Sequence, residues 1–385
     1  MKAALLGLSF GAPHLAAQVP RSESGTGAAI PPVHLATIPG NPSLDVPTSV
    51  HVYRDSVAVW FARGTASVEL LTLKDGRVRR VGREGRGPME FSPTSVVQGL
   101  RADSAVVQDY ALRRLTIVSL QTLKGRVVTA ADFDGATGVV LSRTFGDGGY
   151  IGLRPITKPG AGPTAYFVDT AEIVLAPEVG TSTTLARIGV GAGIRVRTES
   201  GYLVTDPLVD VTLPWAATQR ALYFFSGNGD SLNISLGSNA RRTTFEVTLP
   251  TAELLPGTAR EMLAKRARGM RLSANVERAL PAQIHFPRAI PLTERLYPVE
   301  GGGFWLRTRV ALSTQSMQLM TKYSDTLAPL ACFHLARKQR VLGVGERITI
   351  VGEEDEDGLL QLRVGTATNG CGLPLLRKPG PRQRR

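Results

Sequence analysis

The side chains in this sequence that could do chemistry are dispersed. His34, His51, His285 and His334 lack the short spacings of metal ligands, and His14 falls in an N-terminal leader. The one Gly-x-Ser-x-Gly pattern, Gly7-Leu8-Ser9-Phe10-Gly11, falls in the apolar N-terminal leader and not at a strand-to-helix elbow, and neither Cys332 nor Cys371 is directly flanked by a base. Asp132-Phe133-Asp134-Gly135 opens like a calcium loop but lacks the later ligands and the closing glutamate, so a turn explains it. Glu353-Glu354-Asp355-Glu356-Asp357-Gly358 lies between two apolar runs and reads as a hairpin tip, where like charges stay hydrated. Such clustered carboxylates could also offer hard oxygen ligands to Ca2+. Trp60, Trp215 and Trp305 have faces that stack on sugars, yet Trp60 and Trp305 stand inside apolar strands and read as core. The sequence thus assigns no catalytic, cofactor-binding or metal-ligating residue.

Charge and the chain start bound the setting. A net charge of +13, from 45 basic and 32 acidic residues, favours anionic partners such as phospholipid headgroups or acidic glycans. The basic residues are spread along the chain without interleaved aromatics, which argues against a nucleic-acid site. Lys2, an apolar run over residues 3–10 and small residues at Ala16-Ala17 read as a signal peptide over 1–18, implying a periplasmic or extracellular protein. No later run is apolar enough for a transmembrane segment. Cys332 and Cys371 stand 39 residues apart. Paired in an oxidising compartment, they would close a loop worth about 3–4 kcal/mol; unpaired, they would be two partly buried thiols.

What positions these residues is a repeated unit. Short apolar runs alternate with turn residues, drawing on 41 glycines and 25 prolines. The unit appears at Tyr53-Arg54-Asp55-Ser56-Val57, at Arg101-Ala102-Asp103-Ser104-Ala105 and at Gly146-Asp147-Gly148-Gly149-Tyr150. Weaker copies begin near Gly227, Glu300 and Gly345. Ser56 and Ser104 are 48 residues apart, and Ser104 and Gly149 are 45 apart. Both spacings match the ~40–50-residue period of four-stranded propeller blades. Within the first unit, Lys74-Asp75-Gly76 between alternating runs marks a second hairpin. Such sheets cannot shelter both faces alone, whereas stacking them around an axis covers the faces and leaves only short edges. The expected fold is all-β, a six-bladed β-propeller over 46–370. A Pro-, Gly- and Ser-rich lead-in over 19–45 precedes it, and a basic solvated tail over 371–385 follows.

The period breaks once, where a short helical insertion is expected near 251–279. Thr258-Ala259-Arg260-Glu261 reads as a capping box ahead of Met262, Leu263, Ala267 and Met270. Lys265, Arg266, Arg268 and Arg271 then form a solvated outer face on one propeller rim.

Residues 82–91, Gly82-Arg83-Glu84-Gly85-Arg86-Gly87-Pro88-Met89-Glu90-Phe91, resemble the inter-blade signature of bacterial six-bladed propellers of the NHL-like and TolB-like type. That signature runs Gly-x-x-Gly-x-Gly-Pro-Gly-Glu-Phe, followed by a strand ending in Asp and a strand opening with Arg. Asp109 and Arg114 supply those two positions, while Met89 departs from the family's glycine. The sharp match covers roughly residues 50–130 and marks Gly82, Gly85, Gly87, Pro88, Phe91, Asp109 and Arg114 as structural. Gly85-x-Gly87 also invites a phosphate-loop reading, but no helix N-terminus follows to hold the anion. The resemblance implies an exported, monomeric propeller that meets a protein, glycan or small-molecule ligand at its face without catalysis. The alternative it leaves open is an NHL-like metal-dependent hydrolase or lyase.

Overall fold

The computed structural model describes residues 32–38, 50–128, 140–145, 149–156, 164–176, 182–198, 201–205, 215–218, 221–226, 231–236, 242–253, 257, 261, 289–299, 301–309, 317–336, 338–354, 360–371 and 376–377. The expected signal peptide lies outside them, as do residues 132–135 and most of the acidic tip.

Six antiparallel sheets follow one another along the chain. The first blade comprises His51–Tyr53, Val57–Ala62, Ser67–Thr72 and Val78–Val81. The second comprises Val96–Arg101, Ser104–Asp109, Arg114–Ser119 and Gly125–Val128. The third runs from Val140–Phe145 to Gly201–Thr205 around a long hairpin of Thr164–Ala176 and Thr183–Thr198. Trp215–Ala217, Ala221–Ser226, Ser231–Leu236 and Arg242–Thr248 make the fourth. The fifth holds Thr293–Pro298, Phe304–Arg309, Gln318–Tyr323 and Pro329–Leu335. Gln339–Val344, Ile348–Glu354 and Leu360–Thr366 form the inner three strands of the sixth. The innermost strands touch in cyclic order, each against the next and the sixth against the first, so the ring is closed.

Packing follows from the two-residue side-chain period of a strand. In Val57–Ala62, Ala58 and Trp60 point into a core shared with Leu342, Ile350 and Leu362 of the sixth blade. Their neighbours Val59 and Phe61 point the other way, against Val97, Val107 and Val118 of the second. The fourth blade repeats the scheme. Leu222 and Phe224 meet Ile151 and Ile173 of the third blade, while Tyr223 and Phe225 meet Phe304 and Leu306 of the fifth. A strand buried on both faces therefore reads as a continuous apolar run. Trp60, with no exposed surface, contributes about 2–3 kcal/mol by its burial alone. Trp305 is likewise core, against Phe333. Burial fades outward, and the outermost strand Val78–Val81 exposes its first three residues.

Both chain ends depart from the expected boundaries. His34–Thr37, read as lead-in, pairs with residues 363–366 as the outer strand of the sixth blade. The N-terminal segment thus closes the ring. Beyond the sixth blade the chain turns back. Thr368–Asn369 pairs outside Pro329–Leu335, adding a fifth strand to the fifth blade. Leu376–Arg377 pairs with Val247 and Thr248, adding one to the fourth. Part of the supposed solvated tail is therefore a strap across two outer edges. Cys332, on the fifth blade, and Cys371, on the strap, are bridged with Cα atoms 5.4 Å apart.

The short helical insertion expected near 251–279 is not supported, and at its start the chain is extended. Thr251–Glu253 is a strand paired with Ala289–Pro291, because a ladder satisfies its backbone groups as completely as a helical turn would. Gly257 and Glu261 are helical, and the remainder of 254–288 lies outside the described residues.

Candidate functional site

Two clusters of polar side chains join neighbouring blades. One lies in the linker between the first and second blades, the other at the turns leading from innermost to second strands.

In the linker, Gly82 has φ +90°, and a Cβ there would stand 2.3 Å from the Phe91 ring. Glycine is required both by conformation and by the close approach of Phe91, which packs edge-on against Phe61 at 5.9 Å between ring centres. Arg83–Glu84 and Glu90–Phe91 form a short parallel pair. One oxygen of Glu90 accepts the backbone N–H groups of Arg86 at 2.9 Å and Gly87 at 2.7 Å, and the other accepts the Arg83 guanidinium. The Gly87 N–H, then Arg83, hold the Glu90 carboxyl below the usual carboxylate range. Arg114 donates to the carbonyls of Arg86 and Gly87, both at 2.8 Å, and to that of Glu90. Burial alone would raise the Asp109 carboxyl, but hydrogen bonds from the Ser92 hydroxyl and the N–H groups of Leu112 and Ser92 outweigh it and lower it. Met89, where glycine is usual, has room because Gly125 has no side chain: a Cβ there would stand 2.2 Å from the Met89 sulfur. The Glu90 and Asp109 carboxylates and the Arg114 guanidinium are thus all engaged by the protein's own groups.

The second cluster opens onto a cavity. Arg54 and Asp55 both have φ near +49°, and Ser56 donates its N–H to the Tyr53 carbonyl at 3.0 Å. This is the mirror-image turn whose twist matches antiparallel strands. It aims Asp55 at the sixth blade, where its two oxygens accept the N–H groups of Glu346 at 2.8 Å and Arg347 at 3.0 Å. Gly345 allows the approach, since a Cβ there would stand 2.0 Å from the carboxylate. The equivalent Asp103 of the second blade accepts the Tyr53 hydroxyl, Arg54 at 3.1 Å and Gln121 at 2.8 Å. Burial first, then Asp103, raise the Tyr53 phenol, which keeps its proton at neutral pH. Farther round, Lys322 of the fifth blade donates to the Glu346 carbonyl at 2.7 Å. Asp325 accepts the Gly303 N–H at 3.0 Å and the Tyr223 hydroxyl of the fourth blade at 2.7 Å. Side chains thus link the fourth, fifth, sixth, first and second blades in order on this face.

Inside the arc lies a cavity of about 750 Å³. Val52, Leu100, Pro298, Val299 and Val344 supply apolar lining, and Arg54, Glu346 and Arg347 supply charge. The size is that of small-molecule sites, which run to roughly 300–1,000 Å³. Asp55 and Asp103, which also line it, are already engaged by protein donors. None of these cavity residues was singled out as a site from the sequence. A signal was present, because an aspartate stands at the same turn position just before Ser56 and Ser104, as Asp55 and Asp103. Repetition alone did not reveal that the turns converge.

The remaining sequence candidates do not join this cavity. Glu353, from the acidic run, pairs with Arg363 at 2.5 Å and accepts from Gln339 at 3.1 Å. His51 bonds the Val97 carbonyl at 2.9 Å. Among the described residues, no three His, Cys, Asp or Glu side chains converge as a metal site, and no helix is long and apolar enough to cross a membrane.

No family model and no curated protein sequence matches this chain. Among solved structures it is similar to a DUF4221-family member from Bacteroides vulgatus, at 9% identity over 89% of this chain and 100% of that one, with a TM-score of 0.45. It is similar to a putative exported protein from Bacteroides fragilis, at 7% identity over 87% and 95% of the two chains, TM-score 0.45. It is also similar to regucalcin, a calcium-binding protein from Agrobacterium tumefaciens, at 11% identity over 91% and 100%, TM-score 0.39. The fold rests on this chain's own topology: it is a six-bladed β-propeller of all-β architecture.

Proposed function

We propose that this chain is an exported, non-catalytic propeller that binds a small molecule at the mouth of its central channel. The observation that carries the reading is the cavity of about 750 Å³ framed by the inter-strand turns. Its walls combine apolar surface with a few fixed polar groups, the usual make-up of a ligand site. The carboxylates beneath the rim serve as acceptors within the protein, while Glu346 and Arg347 project at its edge. The basic, apolar-led N-terminus supports export.

A thermal-shift survey of the purified chain against small organic acids, sugars and amino acids tests the reading. A ligand at about one hundred times its Kd stabilises by roughly 2.7 kcal/mol. That shift should vanish in Val344→Trp, which fills the cavity, while the unliganded melt stays near wild type. Hits that bind Val344→Trp unchanged would place the ligand elsewhere. Turnover of a lactone or glycan together with a stoichiometric divalent ion by elemental analysis would instead favour the metal-dependent hydrolase or lyase.

A further inference from the structure

The outer rims of the blades are finished in two ways. The fourth and fifth blades receive an extra antiparallel strand from a distant part of the chain, Leu376–Arg377 and Thr368–Asn369 respectively. The outer strand of the first blade, Val78–Val81, pairs only with Val68, Glu69, Leu70 and Leu71, and among the described residues nothing pairs on its other side. The same molecule therefore shows that a blade's outer edge accepts an added strand, and it leaves the first blade's edge open.

That open edge has a chemical bias. From Lys74 to Arg86 the chain carries Lys74, Arg77, Arg79, Arg80, Arg83 and Arg86 against only Asp75 and Glu84. The Arg77 side chain is 85% exposed even with Asp75 at 3.4 Å, and Val78 beside it is 36% exposed. Arg79 reaches the Leu120 carbonyl, at 3.4 Å, and among the described residues meets no acid of its own. Arg80 is held by Glu69 at 2.8 Å. A second copy of this strand, laid alongside, would set arginine against arginine, which repels it. An acidic strand would meet the reverse situation: main-chain partners along the edge, opposite charge at Arg77 and Arg79, and an apolar seat at Val78.

The geometry points to the outer edge of the first blade as a docking site for an acidic, extended segment of a partner protein, added as a fifth strand. The partner supplies what the strap supplies to the fourth and fifth blades. Carboxylates at alternate positions give selectivity, and the ladder gives register.

The experiment is a fluorescence-anisotropy titration of the full chain with a labelled synthetic peptide alternating glutamate and valine. Three further arms use the same peptide with prolines at alternate valines, a lysine–valine peptide, and heparin as competitor. Saturable binding of the glutamate–valine peptide is expected. The proline peptide should bind on the order of tenfold more weakly because it lacks the ladder donors, and the lysine peptide should not bind. Arg77→Glu with Arg79→Glu should also weaken binding on the order of tenfold at an unchanged melting temperature. Should that pair fail to fold, Arg77→Gln with Arg79→Gln reads the same loss more mildly. Equal binding of the proline peptide, full displacement by heparin with the proline peptide still bound, or no effect of either arginine pair would overturn the proposal. Failure of the glutamate–valine peptide to bind at all would overturn it too, leaving the arginines as guards against self-pairing.

Discussion

The first blade is joined to its two neighbours by opposite means. Toward the second blade the chain is continuous, and the linker is shaped by Gly82, Glu90 and Arg114, with charged groups spent on nearby carbonyls and N–H groups. Toward the sixth blade the chain is continuous only through that blade's borrowed outer strand, His34–Thr37; its other three strands lie almost the whole sequence away. Here the joint consists of the shared apolar core around Trp60, the borrowed strand His34–Thr37 and the Asp55 carboxylate reaching residues 291 and 292 positions away. Where covalent continuity fixes proximity, polar side chains set only the angle between blades. At the seam, where those three strands lack that continuity, tertiary contacts must supply proximity as well, at the larger loop-closure entropy.

Deletion through Thr37 attacks the seam most directly and should have the largest effect. Losing the closing strand exposes the edge of Leu360–Thr366 and part of the core, and a cost above about 4 kcal/mol is expected, read as a collapsed midpoint in urea denaturation. A smaller change would mean that the core alone holds the seam. Next comes the linker. Arg114→Ala leaves three carbonyls without their shared donor and should cost about 3 kcal/mol, with Arg114→Lys recovering only part. Equal stability of the lysine variant would show that charge matters there and the guanidinium fork does not. Asp55→Ala removes two charge-assisted acceptor bonds at a half-exposed seam and should cost about 2 kcal/mol. If it costs more than Arg114→Ala, the ranking of the two joints reverses.

The smallest effect is one of pH. The Glu90 and Asp109 carboxyls are both held below their ordinary values, so their contribution is present above the unfolded carboxyl pKa near ~4 and is lost as pH falls through the lower folded value. Thermal melts of wild type should fall between roughly pH 5 and pH 3 more steeply than those of Asp109→Asn, which no longer has that carboxyl to titrate. Parallel curves would mean that the linker carboxylates do not set the acid response.

Much of the linker was legible because its reasons are local. Gly82 and Phe91 lie nine positions apart, and glycine at that spacing signals a turn and a close approach from the residue types alone. Asp109 and Arg114 were placed by the resemblance to the inter-blade signature, which spacing alone does not supply. Even the departure at Met89 has a local counterpart in Gly125, though that compensation shows only once the second blade's outer hairpin is folded against the linker. The cavity was not legible for the converse reason. Tyr53, Asp103, Val299 and Arg347 come from four blades, and each sits in an ordinary turn. Their identity as one wall depends on the ring closing with six members, and no window of sequence contains that fact. The chain ends were missed on similar grounds: one segment read as a lead-in and the other as a solvated tail, yet a free blade edge elsewhere gave His34–Thr37 and Leu376–Arg377 partners.

The sequence by itself determined that this chain makes short, two-sided sheets of alternating polarity, each too greasy to stand alone, because strand period and turn chemistry are properties of neighbouring residues. Only the tertiary structure decided which edges are covered and which turns converge on a cavity, because those depend on contacts between segments hundreds of residues apart. The strap bridged through Cys332 and Cys371 shows both at once: two thiols 39 positions apart left their state open in the sequence, and the fold brings them together by returning the chain across the fifth blade.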